Sequence, residues 1–370
     1  MNTIARKIPL GIPAYPSMSV DRVITHSHSH ADEILGIMAL RHTFEGRKQF
    51  PGIAKASMGY MSTGTLPKDK DWKSFPGKIF IGCGGSPFDE HSLSRNLQEK
   101  YCAATLVGRQ LEILRLPQWE KVMDFALRED NYKVNHPQTV SLLVKMMHQY
   151  LDTEEGAHTV YEWAETLYLS EIDAQHRFWN ECLDMTVTYD GAVRRWNRSK
   201  EDWDHLTLDS ACDLLCQQGK TEKADWAYDL CKCAESEQQR RFDACEKEYS
   251  QGERKCFAGD KGRQIRLIVV HSDNTEMSKF ARSRGENIVV QMNDSGQVQI
   301  FTQDSSKLGR FDLTPVYDQI KKRGEEERWH LPPFKSILLN GSLTAEGVLP
   351  TEIPLEDIVQ IVIDEMTKVW

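Results

Sequence analysis

The chain has 370 residues, more than one hydrophobic core usually serves, so two domains with an added helical segment are expected. Hydrophobic residues make up 40% and charged residues 27%, with a net charge of −9. That balance excludes a generally basic nucleic-acid binder, although bound cations can supply positive charge locally. No apolar run approaches the roughly 18–20 residues of a membrane helix, and the opening MNTIARKIPLGIPAYPSM has no apolar stretch of signal-peptide type. No membrane partner is therefore expected.

In chain order, Asp21-Arg22-Val23-Ile24 reads as a strand, Thr25 to His30 as a polar loop, and Asp32 onward as a helix with Ile34, Leu35 and Met38 on one face. Residues 41–77 are poor in pattern. Lys78-Ile79-Phe80-Ile81 is a second short strand ending in the turn Gly82-Cys83-Gly84-Gly85. Residues 93–190 look largely helical, and 191–262 form a charged helical block, expected as an insertion or interdomain arm. The tail reads as a compact α+β domain. It has a strand at Ile265–Val270, a helix from Thr275 to Arg284 stopped by Gly285, a hairpin of Ile288–Met292 with Gln297–Thr302, a strand at Ser336–Leu339, and a last helix from Pro354 to Met366. The expected fold is α/β. Residues 1–190 form a domain with a mostly parallel sheet, 191–262 the helical insertion, and 263–370 the smaller α+β domain.

The chemistry concentrates after the first strand. His26, His30 and Asp32 stand at i, i+4 and i+6, where a loop leaving a strand can turn them inward. Imidazole with carboxylate suits Mn, Zn, Fe or Ni better than Ca or Mg. Asp32 also reads as a cap of the following helix. Of two further clusters, each weak alone, Asp89-Glu90-His91 reads first as a surface turn and Glu171-Ile172-Asp173 as the wet face of a helix. The nine cysteines, six of them between Cys212 and Cys256, fit no standard zinc finger and read as reduced thiols of a cytoplasmic protein. Trp163, Trp179, Trp196, Trp203 and Trp226 read as packing residues.

Taken together, these motifs resemble the DHH phosphoesterase superfamily, most of all the Myg family of DHH-like exonucleases. Thr25-His26 followed by His30-Ala31-Asp32-Glu33 resembles the family's T-H-x-x-x-x-H-C-D-E-A, one residue shorter. Gly82-Cys83-Gly84-Gly85 followed by Phe88-Asp89-Glu90-His91 resembles D-V-G-G and F-D-H-H. Glu171-Ile172-Asp173-Ala174 resembles E-I-D-A, and Asn340-Gly341-Ser342 resembles N-G-F. The resemblance covers about residues 20–190 and 265–370.

The resemblance implies a metal-dependent phosphodiester hydrolase acting on nucleic-acid ends or small nucleotides, with one or two divalent ions. Mn2+ is the first choice, with Zn2+ or Mg2+ as alternatives. His26 and His30 would hold one ion, and Asp32, Glu90 and Asp173 the second. His91 would touch the scissile phosphate and Asp89 would orient the cluster. Asn340, Gly341 and Ser342 would line the substrate side. Partners are then nucleic acid or nucleotide, with a homodimer allowed. Two positions depart from the pattern. The first histidine of D-H-H is Glu90, and the carboxylate that would bridge two ions falls on Gly82. The centre then keeps one ion, recruits Glu33, or has lost catalysis and binds nucleotide or nucleic acid without cleavage.

Overall fold

The computed structural model describes residues 13–61, 66, 69–98, 100–132, 138–151, 153–186, 188–200, 203–259, 262–303, 311–332, 335–341 and 348–369. The chain divides into two compact units, Met1–Glu235 and Ser236–Trp370. Among the described residues no helix is long and apolar enough to cross a membrane.

The first unit contains a three-stranded parallel sheet in the order β2-β1-β3, formed by β1 (Arg22–His26), β2 (Ser57–Met61) and β3 (Lys78–Phe80). The outer strand β2, Ser-Met-Gly-Tyr-Met, lies in the stretch the sequence pattern left blank, because it has neither β-branched residues nor alternation. Two helices, α1 (Ala31–His42) and α2 (Phe44–Gln49), separate β1 from β2. After β3 come α3 (Arg95–Gln98), α4 (Ala103–Gln110), α5 (Pro117–Tyr132), α6 (Val140–Tyr150), α7 (Glu154–Asp184), α8 (Tyr189–Ser199), α9 (Leu208–Gln217) and α10 (Thr221–Gln251).

Helix α1 is the centre of this unit. Every residue from Ala31 to Leu40 is buried, not one face only, because α1 packs against α4, α5, α6 and α7 as well as its own sheet. Burial extends to Asp32 and Glu33 in its first turn, where the helix dipole favours acidic groups. The residues expected as a separate helical arm divide between the two units. Leu208, Ala211, Cys212, Leu215, Ala224, Ala227, Cys231 and Ala234 belong to the same core as α1, and Trp163 Nε1 donates to the Ala227 carbonyl at 3.0 Å. Small and apolar positions recur sparsely in this charged stretch, which is enough for one buried stripe along α9 and α10.

The second unit holds a mixed five-stranded sheet in the order β4-β5-β6-β7-β8, with only β5 and β6 parallel. Its strands are β4 (Glu253–Ala258), β5 (Gln264–His271), β6 (Ile288–Met292), β7 (Val298–Thr302) and β8 (Ile337–Leu339). The hairpin over Asn293–Gly296 joins β6 to β7 as the turn residues imply. Helices α11 (Met277–Ser283), α12 (Thr314–Lys322) and α13 (Leu355–Val369) complete the unit. Its largest core joins β5, β6 and β7 to α12 and α13.

Candidate metal centre

The loop between β1 and α1 is held by short local bonds. Ser29 Oγ donates to the His26 carbonyl at 2.8 Å, and the Ser27 N–H donates to the Met61 carbonyl at 2.9 Å. The buried imidazole of His148 on α6 bonds the Ser29 carbonyl through Nε2 at 3.0 Å. A carbonyl can only accept, so His148 carries its proton on Nε2. Burial lowers the pKa of this ring to about 4.

Two groups of ligand-type side chains meet at the start of α1, and both include Asp32. His30, Asp32 and Glu33 place one ligand atom each within 4.8 Å of one another, and so do Asp32, Glu90 and Asp130. Asp32 is buried, and its Oδ2 accepts the N–H of Ala103 at 3.1 Å, at the N-terminus of α4. Glu33 is buried, and its Oε2 accepts the His30 N–H at 2.5 Å. Burial raises the Glu33 pKa well above the usual carboxylate range, and the charges of Asp32 and Glu90 raise it further. Burial and then Asp32 likewise push Glu90 up to about 9. The His30 ring reaches solvent, but desolvation by its surroundings still lowers its pKa.

These groups fit a divalent cation. Buried carboxylates normally have partners, and unpaired buried charge is costly. Here Glu90 Oε2 is buried with no hydrogen-bond partner, while its carboxylate stands among two others. A cation placed there would supply the charge this cluster lacks. The first group, with one nitrogen and two carboxylates, suits Mn2+ or Zn2+. The all-carboxylate second group suits Mn2+ or Mg2+.

The residues singled out in the sequence have different positions. His30, Asp32 and Glu90 belong to the two groups. His26 belongs to neither. Its Nε2 lies 2.6 Å from the Gly82 carbonyl, so that nitrogen carries the proton and only Nδ1 keeps a lone pair. Asp89 is buried and accepts the Gly85 N–H at 2.8 Å and the His91 N–H at 3.1 Å, which fixes the turn that presents Glu90. The His91 side chain is 75% exposed, with Nε2 3.2 Å from Glu90 Oε1.

Asp173 lies outside both groups. Its side chain is 53% exposed and pairs with Lys220 at 3.1 Å. The buried carboxylate of that motif is Glu171, which pairs with Lys121 at 2.8 Å. Two residues on, the helix has turned by roughly 200°, so Asp173 faces away. The third carboxylate beside Asp32 and Glu90 is instead Asp130 on α5. Sequence reasoning missed Asp130 because Arg128-Glu129-Asp130 reads as an ordinary wet helix face.

In the second unit Asn340 is 0% exposed. Its Nδ2 donates to the Arg328 and Leu349 carbonyls at 2.9 and 3.1 Å, and its Oδ1 accepts the Thr351 N–H at 2.9 Å. The amide expected to face substrate is thus spent on holding its own loop. Gly341 follows it with φ +70°, and Ser342 lies outside the described residues. All nine cysteines are unpaired thiols.

Compared with protein-family models, curated proteins and solved structures, the chain matches none.

Proposed function

We propose that this protein is a metal-dependent phosphodiester hydrolase of DHH-like type, acting on nucleic-acid ends or small nucleotides. The observation that carries the reading is that Asp32 is common to both three-ligand groups. A carboxylate shared between neighbouring cation sites is the feature a two-metal hydrolase needs, because it offsets the repulsion between the ions. His30, Asp32 and Glu33 would hold one ion, and Asp32, Glu90 and Asp130 the other, with Mn2+ the metal that suits both sets. Ions bound there supply Lewis-acid polarisation of phosphoryl oxygens and lower the pKa of bound water.

The chain's own groups then divide the remaining work. The exposed His91 ring stands beside Glu90, where a protonated nitrogen can donate to a phosphoryl or leaving oxygen. Asp89 holds the turn that carries Glu90 and His91. Ala103 N–H fixes one oxygen of Asp32 and so orients its carboxylate. Burial around Asp32, Glu33 and Glu90 limits competing water. The unpaired cysteines favour a reducing, cytoplasmic setting.

The purified chain should cleave at least one of labelled single-stranded DNA, RNA or a cyclic dinucleotide in Mn2+ and not in chelator. Asp32→Asn should abolish the cleavage. Equal turnover in chelator, or full activity of Asp32→Asn, would refute the proposal.

A further inference from the structure

Gly82 sits at the end of β3 with φ +66°, where glycine is favoured. Its backbone is pinned on both sides. The N–H donates to the Phe88 carbonyl at 2.9 Å, and the carbonyl accepts from His26 Nε2 at 2.6 Å. A Cβ added here would meet the Glu33 side chain, 2.5 Å from Cγ and 2.6 Å from Oε1. Those separations are far inside van der Waals contact. Glu33 has no easy escape, because it is buried and its Oε2 is tied to the His30 N–H at 2.5 Å. The side-chain volume at position 82 is thus filled by the carboxylate of residue 33. Gly85, three residues on, has nearly the same φ, +64°, but open space where a Cβ would stand.

We propose that Gly82 is the entry point for Glu33. The volume left without a side chain at the end of β3 lets the Glu33 carboxylate stand beside His30 and Asp32 as a ligand to the ion they hold. The inference rests on the metal-dependent reading above, and on the same cluster in which the buried Glu90 Oε2 has no partner. It makes a residue with no side chain a determinant of metal stoichiometry. It also makes positions 33 and 82 a matched pair, such that a methyl group at 82 acts on the ion by displacing Glu33, over and above the backbone strain that any side chain there would bring.

The test is Mn2+ binding to the full chain by titration calorimetry and elemental analysis, with thermal unfolding in chelator as the folding control. Glu33→Gln and Gly82→Ala should each lose the same single ion relative to wild type, or bind it at least tenfold more weakly. Gly85→Ala introduces similar backbone strain without the collision and should keep the full complement. In a Glu33→Ala background, Gly82→Ala should cause no further loss.

Wild-type stoichiometry in Gly82→Ala would overturn the inference and leave the hydrolase reading standing. An equal loss in Gly85→Ala would overturn it too, since strain alone would then explain the effect. If Gly82→Ala fails to fold, the Glu33→Ala/Gly82→Ala protein decides. Folding of that double variant supports the collision with Glu33, and its failure to fold removes it. A wild-type protein that binds no Mn2+ would remove both the inference and the metal-dependent reading.

Discussion

Each unit of the molecule buries glutamates, and Glu325 of the second unit is treated in the opposite way to Glu33 and Glu90 of the first. In the second unit Glu325 is 7% exposed, and its carboxylate accepts from Trp329 Nε1 at 3.0 Å, from Thr351 Oγ1, and from the Glu352 N–H at 2.6 Å. Burial pushes its pKa up, but the bonds from Thr351, Glu352 and Trp329 outweigh burial and hold it below the ordinary value. In the first unit Glu33 and Glu90 are buried against Asp32, and their pKa values rise. The same side chain is a structural clamp where donors surround it and an incomplete charge cluster where carboxylates do. Burial of an acid is therefore uninformative by itself. What marks a site is charge that the protein does not compensate.

The sharpest way to break this contrast is at Asp32. Asp32→Asn should weaken Mn2+ at both sites by more than about a hundredfold, since loss of even an outer-shell partner costs about 10–100-fold. Calorimetric titration that still counts the full number of ions would show that Asp32 is a capping residue, like Glu325 a structural one. Asp130→Asn should remove one ion and leave the other, a smaller effect read in the same titration.

The contrast also has a pH signature in metal-free protein. A glutamate whose pKa is raised on folding binds more protons in the folded than in the unfolded chain, so stability falls as pH rises through that window. For Glu90 the window runs from about 4.5 to about 9. Glu325, with its pKa lowered, contributes stability that is present above the unfolded value and lost as pH falls through the folded one. Glu90→Gln should thus stabilise the chelated protein at pH 7 by about 1–3 kcal/mol while weakening Mn2+ binding. Glu325→Gln should destabilise it by about 1–3 kcal/mol and leave Mn2+ untouched. Denaturant unfolding in chelator reads both signs, and the same sign for the two variants would show that Glu90 and Glu325 are not opposite in kind.

Much of the scaffold was legible in the sequence. A strand over Asp21–Ile24, the helix beginning beside Asp32, and the strand–helix–hairpin order of the tail all follow from apolar spacing and turn residues, although β1 runs on through Thr25 and His26, which read as loop. Strand β2 was not legible, because apart from Tyr60 its residues have little strand preference and its place is set by pairing with β1. At the site, His30, Asp32 and Glu90 stood out because ligand types crowd into short segments. Asp130 did not, because a carboxylate delivered by a distant helix has no local spacing to betray it. Nor did the sequence tell which face of α7 turns inward. Glu171-Ile172-Asp173 offers two acids, and only packing chooses Glu171 as the buried one.

That choice yields the smallest expected effect. Asp173 and Lys220 form an exposed pair, and such pairs contribute from nothing to about 1 kcal/mol. Asp173→Asn should therefore leave Mn2+ affinity and turnover at wild-type level and shift stability by less than about 1 kcal/mol. The variant matters because the family resemblance implies a metal-binding role for Asp173. A clear loss of bound Mn2+ in Asp173→Asn, with Asp130→Asn unaffected, would mean that α7 delivers its acid to the centre once ions bind. The uncompensated cluster would then have to be redrawn around Asp173. An unchanged titration in Asp173→Asn, beside a lost ion in Asp130→Asn, would locate the second site by its geometry, with α5 supplying the ligand and α7 only the packing behind it.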